Sequence, residues 1–156
     1  MPPTIAEGVE GAKALVGVPL GPSGWEQITQ ERVNLFADAT GDHQWIHVDV
    51  ERAKAESPFG GPIAHGYLTL SLLPQLLPQL VEIRGFALGV NYGADKVRFP
   101  APVPVGSRVR AAAVVDEVTD VTGGSGGVQL RITVTIEVEG GSKPALVATV
   151  LLRRYL

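Results

Sequence analysis

Residues 128–139 alternate without interruption. Val128, Leu130, Ile132, Val134, Ile136 and Val138 fall on one side, and Gln129, Arg131, Thr133, Thr135, Glu137 and Glu139 on the other. A period of two over that length predicts a strand with one buried face and one wet face. Residues 108–118 and 145–155 read as strands in the same way. Phe86, Leu88, Val90 and Tyr92 alternate with small residues, then lose phase at Gly93-Ala94-Asp95, where a bulge or bend is expected. Gly123-Gly124-Ser125-Gly126-Gly127 predicts a hairpin loop, and residues 140–144 a second turn. Residues 99–106 form a Pro-rich connection, and Phe86, Tyr92 and Phe99 are assigned to the core.

The first half has a helical period instead. Ile5, Val9, Ala12 and Leu15 suggest a short helix within residues 4–16, weakened by Gly8 and Gly11. Residues 17–24 are turn-rich, and residues 25–28 predict a short strand. Thr29 is a good N-cap, with Glu31 in the first turn where the helix dipole favours a negative charge. Val33, Phe36, Ala37 and Thr40 then share a face, and Gly41 stops the helix. Residues 42–47 read as a loop held against the body by Trp45 and Ile46. One or two helical turns at 49–54 and a Gly/Pro loop at 57–62 follow. Residues 66–73 are apolar on most sides, which predicts a buried helix. Pro74 should kink or break it, with Leu76, Leu77 and Leu80 continuing beyond. Helices first and hairpin strands second give an α+β class, with the sheet wrapped over the helix that begins at Gly66.

Composition narrows the classes. At 156 residues, 45% apolar and 19% charged, the chain is expected to fold as one domain spanning 1–156 with a sizeable core. A net charge of −3 argues against a nucleic-acid surface. With no cysteine there is no disulfide, thiolate metal site or cysteine nucleophile. The absence of a basic n-region or long apolar run near Met1 suggests no secretory signal, and a cytoplasmic location is expected. The most apolar stretch, 63–81, is interrupted by His65, Gln75, Gln79 and two prolines, so no membrane span is expected.

The candidate chemistry sits between these halves. All three histidines lie between positions 43 and 65. Asp42 and His47 follow a helix end five residues apart, and His65-Gly66 opens the buried helix. An acid/base pair facing a helix N-terminus suits chemistry on an activated carbonyl compound. Each residue has a plainer reading. Asp42 alone is a turn residue bonded to nearby backbone, and His47 alone a hydrogen-bonded structural histidine. Gly66 could merely permit close packing at a helix start. His65 reads as structural, orienting the loop, and His43 as solvent-facing. Asp38 reads as a solvated charge.

Together these residues resemble the hot-dog fold, and within it the MaoC-like (R)-specific enoyl-CoA hydratases. The family motif runs from an aromatic residue through Ser/Thr-Gly-Asp to an aliphatic residue and His. Phe36, Thr40-Gly41-Asp42 and Ile46-His47 match it. Ala64-His65-Gly66 matches the entry to the central helix, and Pro102-Val103-Pro104-Val105-Gly106 a turn ahead of a strand. Gln44-Trp45 stands where the family usually has Asn-Pro. The resemblance implies that Asp42 and His47 activate a water and that the Gly66 N–H receives the thioester oxygen. It implies an acyl-CoA thioester substrate, a homodimer, no cofactor and no metal. The alternatives are a hot-dog acyl-CoA thioesterase, and a non-catalytic acyl-binding subunit of a heterodimeric dehydratase.

Overall fold

The structure is a computed structural model that describes residues 2–156. The chain opens with β1 (Thr4–Glu7) and turns sharply at Gly8, whose φ of 64° suits a residue without Cβ, into α1 (Gly8–Ala14). Two short strands follow, β2 (Pro19–Leu20) and β3 (Glu26–Gln27). Thr29 then caps α2 (Gln30–Thr40), its Oγ1 accepting from the Arg32 N–H at 3.1 Å. The connector carries α3 (Trp45–Val48) and α4 (Val50–Glu56). The wrapped helix comes as two pieces, α5 (Gly66–Ser71) and α6 (Leu73–Leu80). The rest is β4 (Val81–Arg84), β5 (Leu88–Arg98), β6 (Arg108–Val121), β7 (Gly127–Val138) and β8 (Pro144–Tyr155).

The main sheet has the order β2-β6-β7-β8-β5, with β3 also pairing β6, and every pairing in it is antiparallel. Its concave face is the alternating set read from the sequence. Val128, Leu130, Ile132, Val134 and Ile136 are all 1% exposed or less. They meet Leu68 of the first helical piece, Leu72 at the break, and Leu73, Leu76 and Leu80 of the second in one continuous core. Asp95 to Arg98 and Asn91 to Gly93 each skip a residue against β8, so β5 bends where the alternation lost phase. No helix among the described residues is long and apolar enough to cross a membrane.

Four expectations need correction. Residues 4–16 are not one helix, because their first four residues pair in parallel with β4, Thr4 opposite Val81. Residues 42–47 are not all loop, because Trp45 begins a helical turn that includes His47. The helix breaks at Leu72, two residues before Pro74, and Pro74 sits in the first turn of α6. A missing N–H costs nothing there, since first-turn N–H groups have no intrahelical partner. Tyr92 and Phe99 lie outside the core, 55% and 41% exposed. They sit on or beside the edge strand β5, which the central helix does not cover. Phe86 does pack, half-buried, against the core.

Candidate active site

The site is built on the exit from α2. Gly41 ends that helix at φ 82°, and its N–H still donates to the Ala37 carbonyl at 2.8 Å. The chain therefore leaves abruptly at Asp42, whose Oδ1 accepts from the Gln44 N–H at 3.3 Å. The turn feeds α3, which carries His47 inward to 6% exposure. Asp49 caps the next helix through the Arg52 N–H at 3.1 Å, and the Arg52 guanidinium lies 4.3 Å from the centre of the half-buried Trp45 ring. Trp45 thus anchors the connector by packing.

A backbone carbonyl fixes the His47 ring. Its Nδ1–H donates to the Ile63 oxygen at 2.7 Å, and Gln30 Nε2 holds the His47 carbonyl at 2.8 Å. A carbonyl only accepts, so the neutral imidazole carries its proton on Nδ1 and leaves Nε2 bare. Burial holds the His47 pKa below its usual value of 6.5. The Ile63 carbonyl and Asp42 oppose that shift, and His65 adds to it. The neutral, proton-accepting form therefore prevails at neutral pH.

His65 locks the two halves together. Its Nε2–H donates to the Asp42 carbonyl at 2.9 Å. Its ring stacks on His47 with centroids 3.9 Å apart and planes 25° apart, and Phe36 packs at 4.9 Å on it. The expected loop-orienting role is visible in that bond to Asp42. Polar side-chain atoms of Asp42, His47 and His65 lie within 4.8 Å of one another, Asp42 exposed and both rings buried. His65 Nδ1 is buried without a partner.

Gly66 is the first residue of α5, and its N–H makes no hydrogen bond within the described residues. A Cβ there would come 3.1 Å from the Phe99 ring, against which Tyr67 stands edge-on at 6.5 Å. The close-packing role and the free donor coexist at this glycine.

Asp42, His47 and His65 have the composition of a two-His, one-carboxylate metal set. Each imidazole gives one ring N–H to a carbonyl, which leaves one unprotonated nitrogen on each ring. The same arrangement can hold a water molecule, with an acceptor carboxylate and a bare imidazole nitrogen close together and a free amide donor at a helix start.

The structure brings together Asp42, His47, His65 and Phe36, with Gly66 next in the chain to His65. It leaves His43 outside, exposed and bonded to Asp38 at 2.9 Å, which raises the His43 pKa. Asp38 is therefore paired, not merely solvated. Sequence reasoning missed the Ile63 carbonyl and the Gln30 amide as orienting groups. A main-chain carbonyl leaves no side-chain signal, and Gln30 reads as an ordinary first-turn residue.

A family model described as a MaoC like domain matches residues 12–138 of this chain. The chain belongs to the MaoC-like dehydratase family. Over 147 residues it is 57% identical to the 3-hydroxyacyl-thioester dehydratase Z of Mycobacterium tuberculosis, covering 94% of this chain and 95% of that one. Its fold is that of the (R)-hydratase from A. caviae involved in PHA biosynthesis, with TM-score 0.64 and 24% identity over 88% and 94% of the two chains. It also matches the C-terminally truncated 3R-hydroxyacyl-ACP dehydratase complex HadBC of M. tuberculosis, with TM-score 0.63 and 16% identity over 89% and 96%. The MaoC-like chain is thus an α+β hot-dog protein and an enzyme of the hydratase–dehydratase class.

Proposed function

We propose that this MaoC-like chain adds water to trans-2-enoyl thioesters to give (R)-3-hydroxyacyl thioesters, and runs the reverse dehydration. The observation that carries the reading is the His47 tautomer. With Nδ1 held by the Ile63 carbonyl, Nε2 is left bare, and a His47 ring nitrogen lies within 4.8 Å of an Asp42 carboxylate oxygen, a separation that one water can bridge. As the water oxygen bonds to the β-carbon, the pair takes its proton. The double-bond electrons move toward the thioester carbonyl, whose oxygen gains charge opposite the Gly66 N–H. The proton then passes from the pair to the α-carbon on the same face, so one water is added and the thioester stays intact. Positioned acid/base groups contribute roughly 10²–10⁴-fold, and one oxyanion donor ~3 kcal/mol.

A 3-hydroxyacyl thioester substrate, on coenzyme A or another carrier, agrees with the name of the dehydratase Z relative. The reading takes residues 1–156 as one hot-dog domain acting in the cytoplasm. Its partner is a second copy meeting the free edge of β5, where Leu88 and Tyr92 are each 55% exposed. A paired edge removes an aggregation hazard. Burying two such side chains adds hydrophobic stabilisation.

The test is the loss of conjugated-enoyl absorbance with a short enoyl-CoA. Asp42→Asn and His47→Gln should each lower kcat by ~10²-fold or more with unchanged circular dichroism. Wild-type turnover in either variant removes that residue from the mechanism. Thiol release from acyl-CoA would point instead to a thioesterase. Inactivity of the pure chain, with activity only beside a second protein, would point to a heterodimeric subunit.

A further inference from the structure

The inner face of β8 is apolar until its last rung. Leu146 and Ala148 are fully buried, and Val150 and Leu152 are 6% and 8% exposed. Two residues on, the same face presents Arg154. This guanidinium borders a cavity of about 850 Å³ between the helical pieces and the β5–β8 pair. Leu73, Leu77, Ile83 and Val90 are among its walls, and among the described residues Arg154 is the one charged side chain lining it.

Arg154 has no acidic partner among the described residues. Among these residues its guanidinium makes a single hydrogen bond, a long one from Nη1 to the Arg153 carbonyl at 3.3 Å. Of five N–H donors four remain unused. Burial alone lowers its pKa, which marks a cation that has lost water without gaining an anion. Room has been kept for it on the facing strand. Gly89 pairs with Arg154, and a Cβ there would collide with Nη1 and lie 2.7 Å from Cζ. Arg153, by contrast, is occupied by Gln129 at 2.9 Å and by the Tyr92 ring at 3.7 Å.

We infer that Arg154 receives an anionic group at the far end of the acyl chain, making this a pocket for thioesters of long ω-carboxylated acids. The inference rests on the hydratase reading, since it takes the cavity as the acyl site of that reaction. The cavity begins at Leu70 and Ser71, about one helical turn beyond Gly66, and follows the helix past Leu77 and Pro78. The thioester end lies near Arg98 and Phe99, and Arg98 pairs with Val147. From Val147 to Arg154 along β8 is roughly 23 Å at ~3.3 Å per residue. The matching ligand therefore has a long chain, apolar for most of its length, ending in a carboxylate. A guanidinium fork suits a carboxylate through two parallel hydrogen bonds.

Phosphates of the carrier offer the same anionic chemistry, so the experiment separates the sources. Saturated acyl-CoAs, which cannot be hydrated, are titrated calorimetrically in matched pairs ending in methyl or carboxylate, beside the same acyl groups on phosphate-free pantetheine. The wild type should bind the carboxylated member ~10- to 100-fold more tightly on either carrier. Arg154→Met should erase or reverse that ratio. Gly89→Ala, which keeps the charge and crowds the guanidinium, should reduce it. A methyl-terminated chain bound as well or better by the wild type overturns the inference. So does an Arg154→Met loss that is equal for both chain ends and confined to coenzyme A thioesters, which would assign the cation to carrier phosphate. Binding needs no turnover. If carboxylated chains bind preferentially but no enoyl thioester is hydrated, the hydratase reading falls and this pocket assignment stands.

Discussion

β7 and β5 belong to one sheet and are exposed to opposite degrees. On β7 every inward residue from Val128 to Ile136 is 1% exposed or less. On β5, Leu88 is 55%, Val90 38% and Tyr92 55% exposed. Both alternate in sequence, so intrinsic strand preference does not separate them. Position does: the β7 residues point at the split helix with a strand on each side, whereas Leu88 and Val90 stand opposite Tyr155 and Arg153 on the other face of an edge strand that has a cavity beneath it. The covered side of the sheet carries the stability of the fold, and the uncovered side keeps room for a ligand and a partner.

The largest effect that tests this contrast is a truncation made on both strands. Leu130→Ala should destabilise the protein by ~2–5 kcal/mol, because a fully buried leucine leaves a cavity that close neighbours cannot fill. Val90→Ala should change the unfolding free energy by less than about 0.5 kcal/mol. Urea titrations of the two variants give the comparison directly. Similar losses would mean that β5 is as tightly packed as β7, through a partner or otherwise.

A second pair of tests concerns the connector, where changes should act on rate more than on stability. His65→Phe keeps the ring stack but removes the N–H that holds the Asp42 carbonyl. A lost neutral hydrogen bond of ~0.5–1.5 kcal/mol corresponds to a ~2- to 10-fold fall in kcat. A fall as large as that of His47→Gln would instead put His65 in contact with the reacting atoms. The pH profile tests His47 itself. Its folded pKa lies below the usual 6.5, so the unfolded chain binds more protons between the two values. Stability from this group is present above pH 6.5 and is lost as pH falls through the folded pKa. Hydration needs the neutral ring, so the acid limb of kcat/KM should also lie below pH 6.5 and drop about tenfold per unit. A limb midpoint above 6.5 would contradict the burial argument.

The same contrast explains what could be read from the chain. β7 was legible because one physical condition, a wet face and a dry face, acts on every residue and writes a period of two. The α2 terminus was legible through Thr29 and Gly41, whose chemistry is local. Asp42, His47 and Gly66 could be nominated because few residue types do that chemistry, and their spacing resembled a known family. Three kinds of feature were hidden. The parallel pairing of Thr4–Glu7 with Val81–Arg84 joins segments far apart in sequence, and no local pattern records it. The exposure of Tyr92 and Phe99 follows from β5 lying at the edge, which alternation does not encode. The tautomer of His47 is set by the Ile63 carbonyl, which every residue type supplies alike. Nothing in the sequence sets Arg154 apart from Arg153 beside it. Its isolation appears once the sheet face and Gly89 are seen around it.

The smallest effect concerns how β5 is held from the outside. Arg131 on β7 reaches over β8 to Asp95 on β5, Nη2 to Oδ2 at 2.9 Å. Both side chains are well exposed, 38% and 47%, so water and salt weaken the attraction. Asp95→Asn should therefore cost only about 0.2–1 kcal/mol, and raising the salt concentration should shrink the difference. A larger, salt-insensitive loss would show that Asp95 is dehydrated in solution, as it would be if the second copy at this edge also covered the outer face that carries Asp95 and Arg131. In that case the loss should grow with protein concentration, because the variant would weaken an assembly and not a surface pair.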